Sequence, residues 1–123
     1  MLLKTTTLAL LITLISSLSH AKESDLMATE LNQFCKEVAK GSLGNDFDKG
    51  LAQKCQGYMS GFFDSMIVIE KVTGEKEFCI PRALPKAQNN LILSEWISQN
   101  RSIAPKTTAA VALYAAFKKA FPC

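Results

Sequence analysis

The chain has 123 residues, with 14 basic against 11 acidic side chains, four cysteines and one histidine. This length supports one small domain, and the charges of both signs are interspersed along it. No basic run is present of the kind that nucleic acid or an anionic membrane surface requires. We therefore expect neither nucleic acid nor a membrane anchor among its partners.

Residues 1–21 have the features of a signal peptide. Lys4 precedes a short apolar run from Leu8 to Ile15, and Ser19-His20-Ala21 has the small-x-small pattern of a cleavage site. The apolar run is too short for a transmembrane helix. Cleavage near Ala21 would leave residues 22–123 as a single helical domain outside the reducing cytosol, and we predict a periplasmic location.

Cleavage would also remove His20, the only histidine. Without an imidazole, the domain cannot assemble a Ser-His-Asp or Cys-His nucleophile or a zinc site that contains histidine. Asp64 and Glu70 lie on different faces of one predicted helix, unlike the paired carboxylates of a glycosidase. We therefore expect no enzymatic activity, no catalytic residues, no cofactor and no metal.

Hydrophobic spacing predicts an all-α fold, a compact domain of about four helices that is stabilised by disulfides. The second helix is apolar on several sides at Met66-Ile67-Val68-Ile69, which favours a central position. We expect helices at about 24–40, 46–73 and 85–99 and from Pro105 to near the C-terminus, mostly antiparallel to their neighbours. The aromatic residues that we expect in the core are Phe78, Trp96, Phe117 and Phe121.

Gly57 and Gly61 lie four residues apart on one face of the second predicted helix. Small residues at this spacing let another helix backbone approach closely, so we predict such a contact within the domain or across a homodimer. A break in the helix at Gly57 is the alternative, since a glycine inside a helix costs about 1 kcal/mol relative to alanine.

The four cysteines, Cys35, Cys55, Cys79 and Cys123, allow three disulfide pairings. In an up-and-down order of helices, Cys35 and Cys55 share one end of the bundle and Cys79 and Cys123 share the other. We therefore predict the bridges Cys35–Cys55 and Cys79–Cys123. No pair has the C-x-x-C spacing of a redox motif, and a zinc site made of all four cysteines is the alternative to disulfides.

Gln99, Asn100, Arg101 and Ser102 form a short polar connector between the third and fourth predicted helices. A loop that is held between two packed helices is a candidate for binding a partner, and an ordinary solvated turn is the alternative. Arg101 has the charge and the donors for charge-assisted hydrogen bonds to such a partner.

Three blocks of sequence carry a resemblance to a known family: C-Q-G-Y-M-S-G-F at 55–62, F-C-I-P at 78–81 and F-P-C at 121–123. Together with Gln88, they resemble the Tai/Rap immunity proteins of type VI secretion systems, from about Gly50 to Cys123. The resemblance implies a small exported helical protein that binds and blocks a peptidoglycan-cleaving amidase toxin in the periplasm. The chain departs from the family pattern at Leu84-Pro85-Lys86, which opens the third helix, and at Asn100-Arg101, where a His-Pro pair is expected.

Size, export and apolar content also fit a periplasmic acid-stress chaperone, and an adaptor subunit of an envelope complex is a further alternative. Against a chaperone, the four cysteines would lock the fold, and the mature chain has no histidine to switch charge between about pH 5 and 8. The neighbouring gene discriminates between these functions, because an amidase with a catalytic cysteine and histidine would favour immunity.

Overall fold

A computed structural model of the protein describes residues 25–123. Its helices are α1 (Ala28–Lys36), α2 (Asp46–Thr73), α3 (Lys86–Gln99) and α4 (Ala109–Ala120), with 3₁₀ segments at Glu37–Leu43 and Ala104–Lys106. The described part contains no β-strand, so the all-α, four-helix prediction is confirmed. None of the described helices has the length and hydropathy of a membrane span. The predicted signal peptide, 1–21, lies outside the described residues.

Local signals at both ends define α2. The Asn45 side chain accepts a hydrogen bond from the Asp48 N–H at 2.8 Å, and the Asp48 carboxylate accepts one from the Asn45 N–H, which forms a capping box. At the other end, Gly74 adopts the left-handed conformation that stops helices, with φ of 76°. The helix between them is uninterrupted, so the predicted bounds are correct and the alternative of a break at Gly57 is wrong.

Three other predicted helix ends are wrong. α1 begins at Ala28 rather than near residue 24, since residues 25–27 are not helical. It ends at Lys36 rather than near Lys40, and the chain tightens there into a 3₁₀ segment. α4 begins at Ala109 rather than at Pro105, because Thr107 and Thr108 are extended. Backbone hydrogen bonds from the Ala28 N–H to the Thr107 oxygen (2.9 Å) and from the Ala109 N–H to the Leu26 oxygen (2.8 Å) hold this extended stretch against the start of α1.

The core lies where α1 packs against the other three helices. Phe117 of α4 is fully buried, and its ring centroid lies 5.0 Å from that of Phe63, 6.0 Å from Phe78 and 6.1 Å from Phe121. Trp96 of α3 is also buried, whereas Phe121 is half-buried. Phe78, Trp96 and Phe117 are thus buried as predicted, whereas Phe121 lies at the edge of the core.

Helix α2 is not central, contrary to the prediction. It buries Cys55, Met59 and Phe62, yet Val68 is 58% exposed and Val72 is 80% exposed. The described elements that pack most extensively on α2 are α1 and the 3₁₀ segment Glu37–Leu43. They cover one side of α2 and leave the side with Val68 and Val72 exposed. At 1.5 Å per residue, α2 is about 42 Å long, much longer than α1.

Gly57 and Gly61 both face away from the domain. A Cβ atom added at either position would meet no atom within 4 Å, and both residues are exposed. Among the described residues no helix packs on these glycines, so the predicted contact within the domain is wrong. The contact across a homodimer stays a prediction.

Two disulfides join the pairs that the helix order predicts, Cys35–Cys55 and Cys79–Cys123. The first ties α1 to α2 and is buried. Both cysteines of the second are exposed, one in the segment before α3 and the other at residue 123. All four cysteines are engaged in these bridges, so the alternative of a four-cysteine zinc site is wrong.

Candidate functional site

The segment from Gln99 to Thr108, here called the α3–α4 connector, is a partly exposed loop with hydrogen bonds at both of its ends. Its tip, Arg101 and Ser102, is exposed as the sequence predicts. Both ends are fastened to helices by hydrogen bonds. The connector therefore presents a shaped surface without being covered by the rest of the domain.

Asn100 fastens the first end. Its side-chain amide donates to the Trp96 carbonyl oxygen at 2.8 Å, and its own carbonyl oxygen accepts hydrogen bonds from the N–H groups of Ile103 (3.1 Å) and Ala104 (2.9 Å). The residue is half-buried. Asn100 thus shapes the turn through three bonds inside the domain, and its contact with a partner stays a prediction.

Ala104 and Thr107 fasten the second end. Ala104 is fully buried, and its carbonyl oxygen accepts a hydrogen bond from the Thr107 N–H at 3.2 Å. The Thr107 hydroxyl donates to the Ile103 carbonyl oxygen at 2.8 Å, and the Thr107 carbonyl oxygen accepts from Ala28 of α1. The connector is therefore tied both to itself and to the first helix of the domain.

Positive charge surrounds the tip. Arg101 and Lys106 are exposed on the connector itself, and the Lys119 ammonium donates to the Gln99 side-chain oxygen at 2.7 Å. Glu95 is the acidic side chain that contacts this group, and it accepts a hydrogen bond from the Gln99 side-chain amide at 3.1 Å. With three cations against one carboxylate, this surface suits an acidic partner surface.

Ile103 is a feature of the tip that the sequence analysis missed. The side chain is 51% exposed although it is apolar, and it directly follows Arg101 and Ser102. An isoleucine in a mainly polar connector was the available signal. An apolar side chain between two cations resembles the anchor residues that fill pockets at protein interfaces.

A small cavity of about 210 Å³ lies next to the connector, between α3 and α4. Gln99 and Lys119 line it, so the cavity continues the same surface. The remaining lining residues are Ile92, Glu95, Trp96, Ala116 and Ala120.

A second cleft, of about 320 Å³, lies where the segment before α3 crosses α2. At its edge the hydroxyl of Tyr114 and the ammonium of Lys118 both donate to the Glu77 carboxylate. The bond from Tyr114, and then the bond from Lys118, hold the pKa of Glu77 below its usual value. These hydrogen bonds hold the segment before α3 against α4, so the network stabilises the fold at the edge of the cleft.

The described residues do not assemble a recognisable reaction centre. Within residues 25–123, no group of three or more cysteine, aspartate or glutamate side chains is placed to hold a metal ion. The same residues contain no histidine. The chemistry available at the connector is that of binding, through cations, backbone polar groups and one exposed apolar side chain.

Comparison with known families decides what this scaffold is. Residues 27–123 match the family model of the Rap1a immunity proteins. The chain belongs to the Rap1a immunity protein family. No curated protein and no solved structure matches the chain. The Rap1a match spans all four helices, both disulfides and the whole α3–α4 connector.

Proposed function

We propose that this Rap1a immunity protein binds a peptidoglycan amidase toxin of a type VI secretion system and blocks its active-site cleft. Membership of the family and the preorganised α3–α4 connector support this proposal. The protein acts by steric blockade and not as an enzyme. Two disulfides fit a chain that works outside the reducing cytosol, in the periplasm, after removal of the signal peptide.

Preorganisation is the observation that carries the proposal. Ordering a mobile loop at an interface costs free energy, and fixing the backbone of one residue costs about 1–2 kcal/mol. The connector avoids part of that cost, because its backbone is already fixed by the bonds of Asn100 and Thr107. Arg101, Ser102 and Ile103 are left free at the tip to enter a cleft, with Gln99 and Lys106 at its margins.

Inhibition of the amidase that is encoded beside this gene tests the function. The mature protein, with both disulfides formed, should abolish digestion of purified peptidoglycan at an equimolar ratio and should co-purify with the enzyme. Activity that persists at equimolar inhibitor would contradict the immunity function. Suppression of protein aggregation in acid by the same preparation would then support the chaperone, and stable capture in an envelope complex would support the adaptor.

Charge reversal at the connector tests the binding surface. Arg101→Glu should weaken the complex at least about thirtyfold, since truncating one partner of a buried, hydrogen-bonded charge pair costs about 2–5 kcal/mol. Arg82→Glu is the matched control, because it makes the same charge change on an exposed residue before α3, about 20 Å away at the other end of that helix. Calorimetric titration measures both. Equal losses in the two variants would place the toxin elsewhere.

A further inference from the structure

A cavity between α2 and α3, here called the α2–α3 cavity, has no part in the proposed function. Its volume is about 230 Å³. α1 packs against both helices, whereas α2 and α3 contact each other little, so space remains between them. One face of each helix lines this space, with residues three or four positions apart. The lining includes Met59, Phe63 and Asp64 of α2 and Lys86, Asn89 and Asn90 of α3.

Two opposite charges line the cavity without pairing. The Asp64 carboxylate belongs to α2 and the Lys86 ammonium to α3, and both residues are exposed. Neither takes part in an ion pair among the described residues. Lys86 is also the first residue of α3, where the helix dipole favours a negative group and no side chain caps the helix. The cavity can therefore bind a cation on its α2 side and an anion on its α3 side.

Two asparagine oxygens in the lining lack a hydrogen-bond donor within the described domain. The Asn89 Oδ1 atom is buried and has no partner. The Asn90 Oδ1 atom lies 3.6 Å from Cys55 Sγ, but that sulfur belongs to a disulfide and carries no hydrogen. A buried acceptor without a donor is destabilising, so a ligand that supplies N–H groups relieves the penalty. Rotation about χ2, which is soft in asparagine, lets the Asn89 amide turn towards such a ligand.

Apolar side chains complete the lining. Met59 is buried, and Val38 and Phe63 are half-buried. They offer a surface for a small apolar side chain next to the polar groups. The cavity is smaller than the range of about 300–1,000 Å³ that is typical of sites for drug-sized ligands. The occupant is therefore small, of the size of one or two amino acids.

We propose that the α2–α3 cavity binds a small zwitterion with an apolar side chain, a free α-amino acid or a dipeptide. Its ammonium group carries three N–H donors, which suit the Asp64 carboxylate and the Asn89 oxygen. Its carboxylate binds the Lys86 ammonium. A sugar could use the asparagine amides but would leave both charges without a counter-charge, and a simple anion would meet the carboxylate of Asp64. A zwitterion satisfies all of these groups at once.

The site is separate from the α3–α4 connector. The cavity lies at the first turn of α3 and the connector follows the last, so about 20 Å of helix lies between them. The proposal concerns the purified chain alone and does not depend on the toxin. Two sources supply zwitterions of this class, cell-wall peptides, which contain D-amino acids, and ordinary proteins, which contain L-amino acids.

Titration of the isotopically labelled mature protein with alanyl-alanine, followed by NMR, tests the site. Backbone amide signals near Asp64 and Lys86 should shift, with a roughly millimolar affinity for so small a ligand. N-acetyl-alanyl-alanine lacks the ammonium and alanyl-alanine amide lacks the carboxylate. Each should bind at least about tenfold more weakly, because it loses a hydrogen bond between charged groups. Binding of either the L,L or the D,D form supports the proposal, and the tighter of the two identifies the source.

Variants of the two charged residues assign the contacts. Asp64→Asn and Lys86→Gln should each weaken binding of alanyl-alanine at least about tenfold. Their unfolding midpoints should stay close to that of the wild type, since neither residue forms an ion pair among the described residues. Asp46→Asn makes the same change at an exposed position at the start of α2 and should bind like the wild type.

Three results would overturn the proposal. The first is the absence of shifts near Asp64 and Lys86 at saturating alanyl-alanine. The second is equal binding of the N-acetylated dipeptide, or undiminished binding by Asp64→Asn, because either would show that the ammonium has no partner there. The third is tighter binding of N-acetylglucosamine than of alanyl-alanine, which would assign the cavity to a sugar.

Discussion

Phe117 is the residue at which the packing of the domain converges. It is fully buried, and its ring contacts aromatic side chains from α2, from the segment before α3 and from the C-terminal residues. Because these contacts come from separate parts of the chain, no single neighbour can move to fill the space that its loss would leave. The consequence is a steep dependence of stability on this one side chain.

Phe117→Ala should lower the free energy of unfolding by about 3–5 kcal/mol, the range for removing a buried aromatic ring. Phe47→Ala is the matched control: Phe47 is 73% exposed, so the change should stay within about 0.5 kcal/mol. Urea unfolding followed by circular dichroism measures both variants. A similar loss in the two would show that the aromatic cluster contributes little.

Glu77 makes stability depend on pH. Because Tyr114 and Lys118 hold its pKa below the ordinary value of 4.5, its contribution is complete above that value and is lost as pH falls through the lowered pKa. Glu77→Gln should therefore be less stable than the wild type at neutral pH, and the difference should close in acid. Unfolding free energies measured from neutral to acid pH test this. The exposed neighbour Glu75→Gln should track the wild type throughout, and a difference that widens in acid would contradict the assignment.

At the scale of elements, the two disulfides differ in their access to solvent. Cys35 and Cys55 are 3% and 1% exposed, whereas Cys79 and Cys123 both lie at the surface. A thiolate must reach a sulfur atom to open a bridge, so accessibility controls the order of reduction. The exposed bridge, Cys79–Cys123, is therefore reduced more readily, although it closes the longer of the two loops.

Mild reductant should open Cys79–Cys123 while Cys35–Cys55 persists. Alkylation followed by peptide mapping should show labels at Cys79 and Cys123 first, and unfolding in urea should expose all four cysteines to the same reagents. Opening the surface bridge should lower stability by about 3–4 kcal/mol, from the chain entropy of a loop of 44 residues. Simultaneous labelling of both pairs in the native protein would contradict this order.

At the scale of the whole molecule, a structural feature is predictable from the sequence when residues close to it along the chain determine it. The bounds of α2 follow from Asn45 and Gly74, which act within a few residues of the helix ends, so they are predictable. The start of α4 depends on backbone pairing with Leu26 and Ala28, about eighty residues earlier, which no local pattern reveals. The disulfide pairing is predictable because the order of the helices brings Cys35 near Cys55 and Cys79 near Cys123.

The same distinction applies to the candidate site. Exposure of Arg101 and Ser102 follows from their polarity and their position between two helices. The orientation of Asn100 towards the domain cannot be predicted in this way. It depends on the Trp96 carbonyl oxygen and on two backbone N–H groups that come close only once the connector has folded. The exposed side of α2 was also not predictable, since hydrophobic periodicity shows which residues are apolar but not whether another element packs on them.

Each disulfide joins cysteines that follow one another in the chain, so the two loops neither overlap nor interleave. Under the proposed export, the chain enters the oxidising compartment N-terminus first. Cys35 and Cys55 are then both available before Cys79 arrives, and oxidation in order of appearance yields the native set. Maturation would accordingly need an oxidase that introduces bridges, but no isomerase to exchange wrong ones.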